Sequence, residues 1–373
     1  MIKVIHVLSD TNIGGAGTLL INYLKNFDKT KFLIKIILPK NSLLIPRITA
    51  LGYEVIEIDG LIDKSLDFSA IGKLKKIFKE EKPDIVHTHS SMSAKIAAFI
   101  ACVKSRMYTR HCAYEPPSYL TKFPGKHING FINNTLSTKI IAVAEAAKEN
   151  LTDTGISHKK ITVIINGVEP LEMAEENRAK ELKEKYKISE NDFVFGIIAR
   201  LEAVKGQKYF IEAAKKMIEK YENVKFILAG TGSEESHLKE LAGNDENIIF
   251  AGFVENVAEI FSILNVNVNC SYGTETSSLA LSEGMSLKKP AIASIYGGNP
   301  YMVTDGYNGI LCEKQNTEAL FSAMEKIYLN KDMYENMCDN AYNAYLSKFT
   351  ASAMTKQLEE IYEKEYERIQ GGK

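Results

Sequence analysis

The sequence predicts an α/β protein with two domains, each built on a parallel sheet that is covered by helices. Short runs rich in β-branched residues alternate with amphipathic helical patterns along the chain, which is typical of βαβ units. The 373 residues are more than one hydrophobic core usually organises. The alternation also starts again after a charged stretch at residues 169–187. We therefore expect two Rossmann-like domains whose parallel sheets face each other across a cleft.

The first half opens with a strand at residues 3–8, a glycine-containing loop at residues 9–17 and a helix at residues 18–27. A loop with three prolines is expected at residues 113–128, and long loops of this kind are often functional. Further strands are predicted at residues 32–38, 53–58, 84–88, 107–112, 139–142 and 161–164.

The second half repeats the pattern, with a helix expected at residues 206–221 and a final amphipathic helix at residues 350–369 that packs back on another domain. Strands are predicted at residues 193–198, 225–229, 248–251, 266–269 and 291–293. We expect an N-terminal domain at residues 1–168, an interdomain connection at 169–190, a C-terminal domain at 191–348 and the final helix at 349–373.

Composition is that of a globular protein, with 45% hydrophobic and 25% charged residues. The chain has no run of about 18 apolar residues, and the apolar stretch at its start is too short for a signal peptide. Its five cysteines form no C-x-x-C pair, which argues against a structural zinc site and a disulfide framework. We expect a cytoplasmic protein.

Charge is unevenly divided although the net charge is −1. Residues 1–165 contain 23 Lys and Arg against 14 Asp and Glu, whereas the rest of the chain contains 23 against 33. A basic excess of this kind indicates an anionic surface or substrate, although a solvated face that binds nothing is an alternative. The basic residues that flank the proline-containing loop are Lys104, Arg106, Arg110, Lys122 and Lys126.

The stretch at residues 270–290 concentrates the candidate chemistry of the chain. Two carboxylates, Glu275 and Glu283, bracket a predicted helix start, and a helix N-terminus can hold a diphosphate. At the helical rise per residue, the two carboxylates would stand about 12 Å apart, a span that suits a nucleotide sugar. Two glutamates also occur at this spacing by chance. The residues between them that suit helix capping are Thr276, Ser277 and Ser278, followed by Leu279.

Cations and glycines follow other predicted strands. Arg200 comes after the first strand of the second half, and Lys205 opens the next helix, so this pair suits a diphosphate leaving group. Gly230 lies in a turn at another strand end. Gly14 and Gly15 belong to a loop after the first strand, where glycine permits close backbone approach to an anion. This loop is not G-x-G-x-x-G, so a dinucleotide site is poorly supported.

Three histidines lie near strand ends in the first half. His87 and His89 fall on one face of a strand, and His111 ends another. A metal site would need a third ligand, and none stands at a telling spacing. Lining a ligand cleft is the favoured interpretation, and a buried, hydrogen-bonded histidine is the alternative for His111.

Taken together, these motifs resemble family 4 retaining glycosyltransferases of the GT-B fold. The resemblance spans residues 3 to about 350 and rests on the order and spacing of Gly14-Gly15, His87-x-His89, Asn166-Gly167-Val168, Arg200-x4-Lys205-Gly206, Ala229-Gly230-x-Gly232 and Glu275-x7-Glu283. It implies a hexosyltransferase that uses a nucleotide-diphosphate sugar, retains the anomeric configuration, and needs neither metal nor other cofactor.

The resemblance also implies roles for individual residues. Glu283 would hold the ribose hydroxyls and Glu275 the donor sugar, Arg200 with Lys205 the diphosphate, and His111 would face the sugar. The catalytic set would be His111, Arg200, Lys205 and Glu275. The substrate-binding set would be Gly14, Gly15, Asn166, Arg200, Lys205, Gly230, Glu275, Thr276, Ser277, Ser278, Leu279 and Glu283.

The expected acceptor is a glycan or a lipid-linked sugar in cell-surface polysaccharide synthesis, bound by the N-terminal domain, without nucleic acid. An anionic membrane surface is a further expected partner, so the protein would attach peripherally at the inner face of the membrane. Two other classes stay open: a nucleotide-sugar epimerase of the same architecture, and a two-lobed solute-binding protein, which normally carries an export signal.

Overall fold

Two parallel sheets organise the chain, one in each of the two units into which it separates. A computed structural model describes residues 1–9, 11, 14–61, 66–89, 91–113, 116–273 and 275–371. The first unit consists of Met1–Gly167 and Ala351–Lys373, and the second of Val168–Thr350. The α/β class and the two parallel sheets predicted from the sequence are confirmed.

The bounds of the elements are as follows. The strands are β1 (Ile2–Leu8), β2 (Phe32–Pro39), β3 (Val55–Ile58), β4 (Ile85–His89), β5 (Ser105–Arg110), β6 (Lys139–Ala142), β7 (Ile161–Val163), β8 (Phe193–Ile198), β9 (Val224–Ala229), β10 (Ile248–Gly252), β11 (Val266–Asn269), β12 (Ala291–Ser294) and β13 (Gly309–Cys312). The helices are α1 (Gly15–Asn26), α2 (Ile45–Thr49), α3 (Phe68–Glu81), α4 (Met92–Ile100), α5 (Ser118–Thr121), α6 (Gly125–Leu136), α7 (Glu145–Asp153), α8 (Glu176–Lys185), α9 (Gln207–Lys220), α10 (Glu235–Ala242), α11 (Val257–Ile263), α12 (Leu279–Ser286), α13 (Asn299–Met302), α14 (Thr317–Leu329), α15 (Lys331–Ala344) and α16 (Ala351–Gly371).

Strand order explains where each unit can hold a ligand. In the first unit the order is β3-β2-β1-β4-β5-β6-β7, and in the second it is β10-β9-β8-β11-β12-β13. Each sheet changes direction of winding once, between β1 and β4 and between β8 and β11. Ligands of open α/β sheets bind outside the carboxyl ends of the strands at such a switch point. The loops that follow these four strands are therefore the ones to examine for a site.

The final helix α16 belongs to the first unit and packs on its sheet. Met354, Leu358, Ile361 and Tyr362 recur at helical spacing, and all four are buried in one cluster with β1 and α1. Glu365, one turn further, accepts hydrogen bonds from the side chains of β5 and of the residue before β6. Burial of this apolar face holds the two ends of the chain together.

Several local predictions differ from the structure. The stretch at residues 113–128 is not one long loop, because α5 and α6 begin directly after Pro117 and Pro124, and proline is well tolerated at a helix start. Tyr114 and Glu115 of that stretch lie outside the described residues. Strand β13 was not predicted at all. The expected connection at residues 169–190 lies in the second unit, because its helix α8 buries Leu182 in that unit's core.

Within the described part of the chain, no helix has the length and apolar character that crossing a membrane requires.

Candidate active site

An ion pair stands at the switch point of the second sheet. Lys205, in a 3-10 turn after β8, places its Nζ 3.0 Å from Oε2 of Glu275, which follows β11. The same oxygen accepts hydrogen bonds from Asn269 Nδ2 at 3.2 Å and from Ser271 Oγ at 2.9 Å. Glu275 is only 8% exposed. Three donors therefore hold one carboxylate oxygen, while Oε1 takes no hydrogen bond from a described residue.

Glycines let the loops approach this carboxylate closely. Gly206 has a φ of +73°, and a Cβ there would meet the backbone oxygen of Cys270 at 2.2 Å. Gly297 has a φ of +56°, and its Cβ would meet the backbone oxygen of Glu275 at 2.0 Å. A larger residue at either position would have to displace the backbone that carries the ion pair. These two glycines are thus required by packing within the chain.

Arg200 is placed differently from Lys205. It follows β8, its side chain is 72% exposed, and its guanidinium pairs with Glu202 at 2.6 Å. The backbone oxygen of Arg200 accepts a hydrogen bond from Gln207 Nε2 at 2.8 Å, which fixes the main chain but not the charged group. The structure therefore brings Lys205 and Glu275 together and leaves the Arg200 side chain in solvent.

Helix α12 begins at Leu279, directly after the last of the three predicted capping residues. Ser278 is its N-cap, and its Oγ accepts a hydrogen bond from Leu281 N at 3.3 Å and one from Asn269 Nδ2 at 3.1 Å. Glu275 consequently lies before the helix, so the 12 Å separation estimated from helical rise does not apply. Thr276 and Ser277 belong to the preceding loop, and Leu279 is the first helical residue.

Glu283 lies in the middle of α12 and is half-buried. Burial raises the pKa of its carboxyl group to about 7. Within the described ranges, no side chain or amide donates to this carboxylate. A ligand hydroxyl that donated to it would replace the solvation lost on burial, which favours the ionised form.

The other predicted binding residues lie in tight turns, at a helix start or in the core. Gly230 has a φ of +140°, and a Cβ there would meet the Ala199 oxygen at 2.0 Å, so it is needed to pack the β9 loop against the β8 loop. Gly14 caps α1 and Gly15 begins it, with nothing within 4 Å of a Cβ at Gly15. Their neighbours Asn12 and Ile13 lie outside the described residues. Asn166 is buried in the first unit.

A chain of hydrogen bonds joins the histidines of the first unit. His111 Nε2 lies 2.9 Å from His89 Nδ1, and His89 Nε2 lies 3.1 Å from His6 Nδ1. His6 Nε2 lies 3.3 Å from the hydroxyl of Tyr362, which contacts His87 Nδ1 at 2.6 Å. The chain of hydrogen bonds ends at His87 Nε2, which lies 2.6 Å from the hydroxyl of Thr109 in β5. Instead of lining a cleft, His87 and His89 are buried.

All four imidazoles are neutral at physiological pH. Burial lowers the pKa of His6 to about 3 and that of His111 to about 4, and it also lowers those of His87 and His89. A neutral imidazole donates through one nitrogen and accepts through the other. Because each ring is hydrogen-bonded to the next group in the chain, all N–H and O–H donors along it must point in the same direction. The tautomer of His111 is therefore coupled to that of its buried partners.

Three of these histidines lie close enough together to be considered as metal ligands. His6 supplies the third ligand that the sequence did not reveal, and donor atoms of His6, His87 and His89 lie within 4.8 Å of one another. Each of their six nitrogens already takes part in a hydrogen bond. A metal ion would have to replace those bonds, so this group is organised as a hydrogen-bonded chain.

Sequence reasoning missed four residues of these sites. His6 and Tyr362 look like ordinary members of an apolar strand and an apolar helix face. Asn269 and Ser271 flank the end of β11, and polar residues at the carboxyl end of a strand beside Glu275 were the available signal.

Comparison with protein families covers most of the chain. The family described as Glycosyl transferases group 1 matches residues 139–344, which is more than half of the sequence. The family described as Glycosyltransferase Family 4 matches residues 13–170. The two matches together include both switch-point loops of the second sheet and the histidines of β4.

Curated relatives include a UDP-Gal:alpha-D-GlcNAc-diphosphoundecaprenol alpha-1,3-galactosyltransferase of Escherichia coli, which is 29% identical over 309 residues and covers 79% of each chain. The capsular polysaccharide biosynthesis glycosyltransferase CapM of Staphylococcus aureus is 25% identical over 309 residues, covering 79% of this chain and 80% of its own. The alpha-monoglucosyldiacylglycerol synthase of Acholeplasma laidlawii is 26% identical over 318 residues, covering 74% and 78%.

Solved structures share the fold over nearly the whole chain. A glycosyltransferase of Rickettsia africae superposes with a TM-score of 0.83 at 21% identity, covering 98% of each chain. Anabaena Alr3699/HepE in complex with UDP gives 0.82 at 20% identity, covering 97% of this chain and 100% of its own. The family matches, which fall on the loops that carry Lys205 and Glu275, show that the chain belongs to the glycosyl transferases group 1 and is a glycosyltransferase of the GT-B fold.

Proposed function

We propose that this enzyme transfers a hexosyl group from a nucleotide-diphosphate sugar to a glycan or lipid-linked acceptor in cell-surface polysaccharide synthesis, with retention of configuration and without a metal ion. The observation that carries the proposal is the Glu275 carboxylate, whose Oε2 is held by three donors while Oε1 remains available to accept from a sugar hydroxyl. The UDP in the HepE structure and the sugar donor named for the E. coli relative support the donor class.

Each end of the donor has a matching group. The Glu283 carboxylate, which accepts no hydrogen bond from a described residue, would accept hydrogen bonds from the ribose hydroxyls. Glu275 would accept hydrogen bonds from the hydroxyls of the sugar. Lys205 would contact the diphosphate while retaining its bond to Glu275, and Arg200 would turn from Glu202 toward the ligand. The free N–H groups at the start of α12 would add positive potential.

The proposed reaction needs positioning and charge stabilisation rather than a covalent nucleophile. The bond between the anomeric carbon and the diphosphate oxygen breaks, and the acceptor oxygen forms its bond to that carbon on the same face. The acceptor proton passes to the departing diphosphate. Negative charge grows on the leaving oxygen, where Lys205 and Arg200 stabilise it. A double displacement would need a carboxylate beneath the anomeric carbon, and we assign that role to no residue.

Calorimetry with UDP and UDP-glucose tests the assignment of the two ends. Glu283→Ala should weaken binding of both ligands, because both contain ribose. Glu275→Ala should weaken UDP-glucose only, because the sugar alone distinguishes the ligands. Equal losses for both ligands in both variants would contradict the assignment.

Transfer itself is tested with a diphosphoundecaprenol-linked GlcNAc acceptor and a panel of nucleotide sugars. NMR of the product should show the anomeric configuration of the donor, and turnover should be unchanged by EDTA. An inverted product refutes retention, and recovery of activity only with added divalent ions refutes metal independence. An epimerised nucleotide sugar in the absence of acceptor would favour an epimerase.

Peripheral membrane attachment is part of the proposal, and α6 supports it. This helix directs Gly130, Asn133 and Leu136 inward, whereas its apolar residues Phe131 and Ile128 face outward, Phe131 with 74% exposure. Further exposed apolar residues are Ile132 of the same helix and, before it in the chain, Tyr119 and Phe123. An apolar surface flanked by Lys122 and Lys126 suits a membrane with anionic lipid. Arg106 does not belong to this surface, since its guanidinium donates to three backbone oxygens.

Co-sedimentation with vesicles tests the attachment. Binding should appear with phosphatidylglycerol, weaken as salt rises, and fall when Lys122 and Lys126 become Glu. Phe131→Ser should reduce binding at every salt concentration, whereas Leu346→Ser, at an exposed leucine of the second unit, should not. Equal recovery in the supernatant with neutral and anionic vesicles would favour a soluble acceptor.

A further inference from the structure

A cavity in the first unit contains a buried lysine that has no acidic partner among the residues that the structure describes. The cavity has a volume of about 290 Å³ and lies beside α4, β5 and α6. Lys95 and Arg110 are its cationic lining residues, and among the described residues that line it there is no Asp or Glu. Neither the histidine chain nor the ion pair at Glu275 uses this lysine.

The surroundings of Lys95 orient its ammonium group without neutralising it. The side chain is 5% exposed. Its Nζ donates to Asn133 Oδ1 at 2.9 Å and lies 4.2 Å from the centre of the Tyr108 ring. Asn133 Nδ2 in turn donates to Asn129, so the amide oxygen is the atom presented to the lysine. One hydrogen bond uses one of the three ammonium donors, which leaves donors for a ligand.

Lys95 and Arg110 line the same cavity, and the positive charge of Arg110 disfavours that of Lys95. Lysine is almost never fully buried unless it is paired. Burial and the positive charge of Arg110 lower the pKa of Lys95 to about 8. The Arg110 charge also contributes to the lowered pKa of His111, so the cavity neighbours the residue expected to face the donor sugar. Arg110 Nε donates to the backbone oxygen of Cys112 at 3.1 Å, and a guanidinium has five N–H donors, so it can also donate to an anion that contacts Lys95. Such an anion would reduce the repulsion between the two cations.

We propose that this cavity binds the phosphate group of a phosphorylated acceptor, with Lys95 and Arg110 as the phosphate-binding cations. The apolar residues of the wall, Met92, Leu120 and Leu151, suit the hydrocarbon next to that phosphate. The assignment to the acceptor rests on the proposed function, whereas phosphate binding follows from the cavity. Free phosphate is the other source of the same chemistry.

Calorimetry with inorganic phosphate and with farnesyl phosphate separates these sources. Farnesyl phosphate should bind at least tenfold more tightly, because only it contacts the apolar wall. Lys95→Met should weaken binding of both probes at least tenfold, and Lys159→Met, at an exposed lysine of the same unit, should not. Inorganic phosphate binding as tightly as farnesyl phosphate overturns the acceptor assignment. No binding, or equal binding by wild type and Lys95→Met, overturns the phosphate site.

Measurements of stability and of UDP binding distinguish loss of the phosphate site from loss of the fold. Lys95→Met should unfold at the same temperature as wild type or higher, because an uncompensated buried charge is removed. Met92→Glu is a second variant, since it places a carboxylate at the start of α4 where it can pair with Lys95; it too should abolish phosphate binding. UDP should bind wild type and all three variants alike. A chain that binds no UDP contradicts the proposed function, and one that binds UDP but neither phosphate contradicts only this inference.

Discussion

The switch points of the two sheets hold opposite kinds of chemistry. In the second unit, Lys205 and Glu275 are charged and stand on loops after β8 and β11. In the first unit, His6, His87 and His89 stand on the strands themselves, beneath α16, and burial keeps them neutral. Loops at a sheet edge can present charges to a ligand. Strand positions under a helix tolerate only neutral polar groups whose hydrogen bonds are all satisfied, because burying an unpaired charge costs too much.

The largest expected effect is a loss of turnover when the charged residues of the second unit are changed. Lys205→Ala should reduce turnover by on the order of 10²-fold or more, because it removes a donor aimed at developing charge. Arg200→Ala should cost less, because the Arg200 side chain is 72% exposed and pairs with Glu202 rather than with Glu275.

Steady-state transfer rates measure both losses. Lys208→Ala is the matched control, since that lysine is exposed on α9 and forms no ion pair with a described residue. Full activity in folded Lys205→Ala would remove the ion pair from the mechanism and with it the contrast between the two regions.

Changes to the hydrogen-bonded chain of neutral histidines in the first unit should lower the stability of that unit. Tyr362→Phe deletes the hydroxyl between His6 and His87 and should lower the free energy of unfolding of the first unit by about 1–3 kcal/mol, the usual effect of leaving buried polar groups unsatisfied. Tyr366→Phe is the control on the same helix, because no hydrogen bond of its hydroxyl is found among the described residues.

Hydrogen exchange of the β1 and β4 amides measures this loss where it occurs. If the two tyrosine variants lose equal protection, the hydroxyl of Tyr362 does not stabilise the histidine chain, and apolar packing alone holds α16.

The smallest expected effect is a pH dependence of donor binding. Free Glu283 has a pKa raised to about 7, so it is mostly protonated below that pH and ionised above it. Ribose hydroxyls that donate to the carboxylate favour the ionised form. Affinity for UDP-glucose should therefore rise roughly fivefold to tenfold from about pH 6 to about pH 8. UDP-glucose is the suitable ligand because its diphosphate does not titrate in this range.

Calorimetry across this pH range gives the dependence, with Glu283→Gln as the control that should be flat. A steep rise that survives in the glutamine variant would assign the titration to another group and leave Glu283 without a demonstrated ribose contact.

Local patterns predicted the strands that border the sites. Strands β8 and β11 match the expected bounds, because each is a short run rich in β-branched or aromatic residues. Strand β13 escaped prediction because Gly309–Cys312 is only four residues long and begins with glycine. The start of α12 was predicted to within three residues, since Thr276, Ser277 and Ser278 are equally good caps by type and only the fold selects Ser278.

The sequence by itself determined the two parallel sheets and which charged residues follow their strands, because hydrophobic periodicity and turn residues act over a few neighbours. Only the tertiary structure decided the partners. Glu275 meets Lys205 because β8 and β11 are adjacent in the sheet. His6 meets Tyr362, 356 residues away, because α16 returns to cover β1. Contacts of that kind depend on strand order and helix return, which no local pattern specifies.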